Sequence, residues 1–326
     1  MLTRRIFVLA SGRCLVGPAL WAQKGSVPSE AVFLFQNNFW VRLHHFLRGE
    51  SRRRSIETPL ELPLSTLNTE ERAAWQRGLD GYLELSKLSL IFDERLTRIN
   101  NALAEAPHTG FLRNNEIESK IVATLNAAAP VYRTHRWKDH RQENADWIAA
   151  HGPAIREHAV AVRKAIADAL QAVAPTEPIL VDLARDIGPN LAYTTGGPKG
   201  TGGHTVIAPQ KNADSEVALN TIFHEVSHTM DRQITQALDQ EAKRQGVKLP
   251  PDLWHALTLY TTWKIVKGTL GKERGLAYRP DVDNARMFAR NGWQTVLAIL
   301  EKDWQPSLDG RAAFRDALRD VVHDAR

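Results

Sequence analysis

The feature that most constrains this chain is the pentapeptide His224-Glu225-Val226-Ser227-His228. If a helix starts at Asp214 or Ser215, the two histidines stand four residues apart and share one face. Two imidazoles on adjacent turns can hold one Zn²⁺, and a glutamate beside the first can poise a water next to that ion. Glu225 is turned about 100° around the helix from His224, so it cannot be a ligand alongside both histidines and is left to act as a base. Over the helix expected at Asp214–Ile234, Val217, Thr221, His224 and His228 form one stripe, which turns the rings toward a sheet or a cleft.

A catalytic zinc takes three protein ligands and keeps one coordination position open. Cys14 is the single cysteine, so the ligands must be histidines or carboxylates. His255 is the preferred third ligand: it is an isolated histidine in the apolar run Leu253–Trp263, which Asp252 can cap, and a ring in such a helix needs a partner. Glu241 and Asp231 are the alternatives. Glu241 lies in the charged run Asp239–Arg244, the pattern of a solvent-facing turn. Asp231, three residues past His228, can hydrogen-bond a ligand imidazole, bind the ion, or pair with Arg232 or Lys243 at the surface. Tyr260, Tyr278, Tyr193 and His204 are the sequence neighbours able to donate to a developing oxyanion, with Tyr260 preferred.

Hydrophobic periodicity predicts a helical segment before this region. Val32–Leu47 reads as one buried helix, followed by helical patterns at Thr69–Asn101, Asn114–Ala128 and Asn144–Val173. Ile179–Leu183 and His204–Ala208 read as strands. Between them, Thr194–Gly203 holds five glycines without a Gly-Lys-Ser/Thr ending. That excludes a phosphate loop and leaves a hairpin connection or a site rim. The expected fold class is α+β, mainly helical, with a small sheet.

A strand followed by a helix with paired histidines resembles the zincin metallopeptidases over roughly residues 178–268, in a gluzincin-like variant. The resemblance implies a zinc-dependent hydrolase of peptide or related amide bonds, with Zn²⁺ on His224, His228 and His255, and Glu225 as general base. It places His255 where gluzincins have a glutamate. It also implies that the strand His204–Ala208 lies at a sheet edge along the cleft, open to an extended peptide. The block Phe39–Leu47, with His44 and His45, resembles one in exported bacterial proteins that share the paired-histidine motif; buried structural rings are the preferred reading of those two. The alternative function is an exported binding or structural protein with an inert metal site, which would have no use for Glu225. A helical scaffold without metal is the third class.

Arg4-Arg5 before Ile6–Ala10 reads as an export signal, and Thr3–Leu9 resembles the bacterial twin-arginine type, with cleavage expected near Ala22. The chain then divides into a signal at 1–22, a helical region at 23–177 and a catalytic region at 178–326, the last two packed as one two-lobed unit in the periplasm or outside the cell. Arg13 breaks the apolar stretch, so no stable membrane span is expected. The 326 residues are 43% hydrophobic and carry a net charge of +5. Their basic residues are dispersed, which argues against nucleic acid as a partner. Arg48–Arg54, with Glu50 inside it, and the stretch around His135, Trp137 and His140 are read as solvated segments without a role.

Overall fold

Four short strands, each carrying apolar side chains on both faces, build a mixed sheet buried from both sides. In the computed structural model, which describes residues 32–108, 110–187, 192–209, 215–274 and 281–326, they are β1 (Phe33–Gln36), β2 (Ile179–Leu183), β3 (Ala192–Thr195) and β4 (Gly203–Ile207), in the order β1-β2-β4-β3. β1 and β2 are parallel, as are β2 and β4, while β3 runs antiparallel to β4. Alternation along the strands sorts the core into two layers. Phe33, Ile179, Val181, Leu183, Ala192 and Ile207 face one cluster, and Leu180, Tyr193 and Val206 face the other.

Helices α1 (Phe39–Ser55), α2 (Thr69–Tyr82), α3 (Glu94–Ala104) and α4 (Ser119–Tyr132) cover the second face. Helices α5 (Lys138–Leu170), α6 (Ser215–Ser227), α7 (Asp231–Gln245) and α8 (Leu253–Arg274) cover the first, joined by α9 (Asp281–Arg290), α10 (Gln294–Ile299), α11 (Gln305–Leu308) and α12 (Phe314–Asp324). The fold is therefore α+β and mainly helical. Val32–Arg326 forms one compact unit, and the boundary expected at 177/178 runs through the sheet, since β1 lies on one side of it and β2 to β4 on the other. No helix among the described residues is long and apolar enough to cross a membrane. Residues 1–22, with the predicted signal and Cys14, lie outside the described residues.

Several local expectations change. Val32–Leu47 is not one helix. Phe33–Gln36 pairs with β2, and Asn38 then caps α1, its Oδ1 accepting from Trp40 N at 2.8 Å and Val41 N at 3.2 Å. Apolar residues on every position suit a doubly buried strand as well as a buried helix, so periodicity alone cannot separate the two. Thr69–Asn101 likewise breaks after Tyr82, and Asp93 restarts it by capping α3. The basic run Arg48–Arg54 is the end of α1 rather than a loop. There Glu50 is buried and accepts from Glu61 N and Leu62 N, while Arg53 reaches Asp186. His140 is also buried, held by Tyr132 and Glu61.

The largest change concerns β4. It is an inner strand, because the glycine-rich segment is a hairpin that folds Ala192–Thr195 back along it. The sheet therefore ends on β3. Gly203 opens β4 at φ 154°, and a Cβ there would lie 3.0 Å from Thr229 Cγ2. A glycine is needed for the hairpin to come this close to the turn that follows His228.

Candidate metal centre

α6 lies between the sheet, α5 and α8. Its core stripe is Ala218, Leu219, Ile222, Phe223 and Val226, all buried. The Val217, Thr221, His224 and His228 stripe sits at the margin of that face and is less deeply covered. The α-helix stops at Ser227 and continues as a tight turn at His228–Met230 before α7. Ser227 Oγ donates to the His224 carbonyl and Thr229 Oγ1 to the Val226 carbonyl at 2.7 Å, satisfying acceptors that the helix end leaves unpaired.

α8 brings His255 to the same place. His224 Nε2 lies 3.2 Å from His255 Nε2 and 3.2 Å from His228 Nε2, and one ligand atom from each ring falls within 4.8 Å of the others. A tetrahedral ion with Zn–N bonds of about 2.0–2.1 Å sets its ligand nitrogens about 3.3–3.4 Å apart. The three rings therefore fit one small divalent cation. His228 points Nδ1 at Asp231 Oδ2, 2.7 Å away. With its proton on Nδ1, its Nε2 carries a lone pair aimed at His224, and lone pairs this close repel unless a cation or proton lies between them.

The charges agree with a ligand set. Burial, then the charges of His228 and His255, hold His224 well below the ordinary histidine range. Burial, then His228, brings His255 to about 4. Burial also opposes charge on His228, but the Asp231 hydrogen bond and the Glu225 and Asp231 charges carry it above its ordinary value. At neutral pH two of the three rings thus offer free lone pairs, and the third sits against a carboxylate. Glu225 is 5% exposed, and burial pushes its carboxyl up. Its Oε2 accepts from Thr194 Oγ1 at 2.8 Å.

Two tryptophans hold His255. Trp254 stacks on it at 5.2 Å between centroids, and Trp293 meets it edge-on at 5.3 Å. Trp254 also meets His228 at 6.0 Å. Beyond Trp254 opens a groove of about 320 Å³ between α7 and the start of α8, with Leu238, Val247 and Leu249 among its walls; it contains none of the three histidines.

The structure brings His224, His228 and His255 together and sets Asp231 behind one of them. Glu241 is not with them: it is tied to Arg244 and Gln245 on α7. Tyr260 is not with them either. It lies five residues beyond His255, about 140° around the helix, and its buried hydroxyl donates to Gln305 Oε1 at 2.7 Å. Tyr193 and His204 belong to the opposite face of the sheet, where Tyr193 Oη meets His45 Nε2 at 2.7 Å and His204 Nε2 meets Asp182 at 3.0 Å. His44, against Tyr82 at 2.9 Å, is buried beside them. Tyr278 lies outside the described residues. Thr194, Trp254 and Trp293 were not expected at the site, and nothing local in the sequence marks them. No family model, curated protein or solved structure matches the chain.

Proposed function

We propose that this chain is a zinc-dependent hydrolase of peptide or related amide bonds, zincin-like in the arrangement of its site. The observation that carries the reading is the convergence of three histidine rings, with His224 Nε2 3.2 Å from Nε2 of both His228 and His255 and all three within 4.8 Å, beside a buried glutamate that is not one of them. A structural site closes its metal with four protein ligands; here three histidines converge, which favours a catalytic site over an inert one. His224, His228 and His255 would hold the ion, and Asp231 orients the His228 ring. Bound there, Zn²⁺ supplies Lewis acidity, polarising a carbonyl and making water more acidic.

Glu225 takes the proton from the attacking water and returns it to the leaving nitrogen. Burial raises its carboxyl above the ordinary carboxylate value, which strengthens it as a base. An extended substrate pairs with β3, the strand that ends the sheet and whose Thr194 touches Glu225. The segment Arg4–Ala10 supports export, so the mature enzyme works in the periplasm or outside the cell; R4K/R5K should leave precursor in the cytoplasm, and normal export of that variant would rule out the twin-arginine route.

The test is E225Q, which keeps shape and hydrogen-bonding capacity but removes basicity. Against a broad library of quenched fluorogenic peptides it should retain its zinc and lose about 10²- to 10⁴-fold in turnover. Equal cleavage by the parent and E225Q would refute the mechanism.

A further inference from the structure

We propose that Thr194 and Thr205 form a two-hydroxyl relay that fixes the Glu225 carboxylate, holding one oxygen against the sheet and leaving the other for chemistry. The inference rests on Glu225 being the general base. Thr194 and Thr205 are register partners across β3 and β4. They share the sheet face of Ala192 and Ile207, the face that packs on α6. Thr194 Oγ1 lies 2.8 Å from Glu225 Oε2 and 2.8 Å from Thr205 Oγ1.

A hydroxyl has one proton. Thr194 donates its proton to the carboxylate, so the contact with Thr205 must be donated by Thr205. That sets a direction, from Thr205 through Thr194 to Glu225. A donor that is itself accepting a hydrogen bond is polarised and bonds more strongly, all the more where water is excluded. Thr205 is fully buried. Threonine pairs across strands are ordinary sheet stabilisers, but such a pair has no need to spend a proton on a carboxylate from a helix. Here the sheet carries a positioning device for α6: strand pairing sets Thr194, and Thr194 sets the rotamer of Glu225. Neither threonine touches substrate in this account; both act through Glu225.

The test uses the full chain with T194V, T205V, T194S and E225Q. Valine keeps the β-branched shape and removes the hydroxyl, while serine restores the hydroxyl. The Glu225 carboxyl band is identified by isotope-edited infrared spectroscopy as the band missing from E225Q. In T194V that band should move and zinc content should stay at the parent level. Turnover of fluorogenic peptides should fall about 10- to 10²-fold in kcat with KM unchanged, the cost of a misplaced catalytic group. T205V should move the band less, and T194S should restore both band and kcat. A T194V protein whose band coincides with the parent's overturns the relay, whether or not peptides are cut. If T194S is as impaired as T194V, restoring the hydroxyl restores nothing, which also overturns it. Failure of the general-base reading shows differently, as full activity in E225Q.

Discussion

Nδ1 of His228 lies 2.7 Å from Asp231 Oδ2, and this contact selects which nitrogen of the ring faces His224. A proton held at Nδ1 by a carboxylate leaves Nε2 as the donor atom and makes it more basic. Asp231 thus does for a ligand what it cannot do as a ligand itself, because its carboxylate is already engaged on the far side of the ring.

Removing that carboxylate should weaken metal binding without abolishing it. D231A is expected to lose about 10- to 100-fold in zinc affinity, measured by competition with a chromophoric chelator. D231N, which keeps an acceptor but not the charge, should fall between. Affinity for D231A within twofold of the parent would remove Asp231 from the site.

Asn38 joins two helices by both ends of its amide. Its Oδ1 caps α1, while its Nδ2 donates to the Leu103 carbonyl at 3.0 Å and the Ala104 carbonyl at 3.2 Å, and all three residues are buried. N38A should therefore cost about 2–4 kcal/mol in urea unfolding, a lost cap plus buried carbonyls left unpaired. D93A, which removes only the cap accepting from Leu96 N, should cost about 1 kcal/mol. Equal losses would show that Asn38 is no more than a cap.

Acid should destabilise the metal-free protein through the rings behind the sheet. Burial, then the Arg48 charge, lowers His44 from 6.5 to about 3, and burial moves His45 in the same direction. Between those values the unfolded chain binds more protons than the folded one. The stability is fully present above about 6.5 and is lost as pH falls toward 3, at roughly 1.4 kcal/mol per unit. Between pH 7 and pH 5 His44 alone accounts for about 2 kcal/mol. Urea midpoints in the presence of chelator should fall over that interval; unchanged midpoints would contradict a neutral, buried His44.

The site was legible in sequence where its chemistry is local. His224 and His228 are four residues apart, a spacing that keeps both rings on one side even though α6 ends at Ser227 and His228 opens the turn after it, and a lone histidine in the apolar run around Leu257 marks His255. The strands at Ile179–Leu183 and near His204 could be read because both are bounded by turn residues. β1 and β3 could not. Phe33-Leu34-Phe35 carries apolar residues at successive positions, as a buried helix does, and Ala192–Thr195 has too few apolar residues to signal a strand before pairing with β4. Missing β3 put β4 at the sheet edge and hid Thr194, whose partner Glu225 is 31 residues away. Tyr260 misled for a related reason: proximity in sequence to His255 says nothing of direction around α8, and its hydroxyl is committed to a residue 45 positions later.

The central claim is that one metal ion is held jointly by α6, the turn after it, and α8. Its most direct test is the metal content of purified full-length chains after saturation with Zn²⁺ and gel filtration. The parent protein should retain one Zn²⁺ per chain, H224A and H255A should lose it to the same extent with helical circular dichroism preserved, and E241A should keep it. Stoichiometric zinc in H255A would contradict the account.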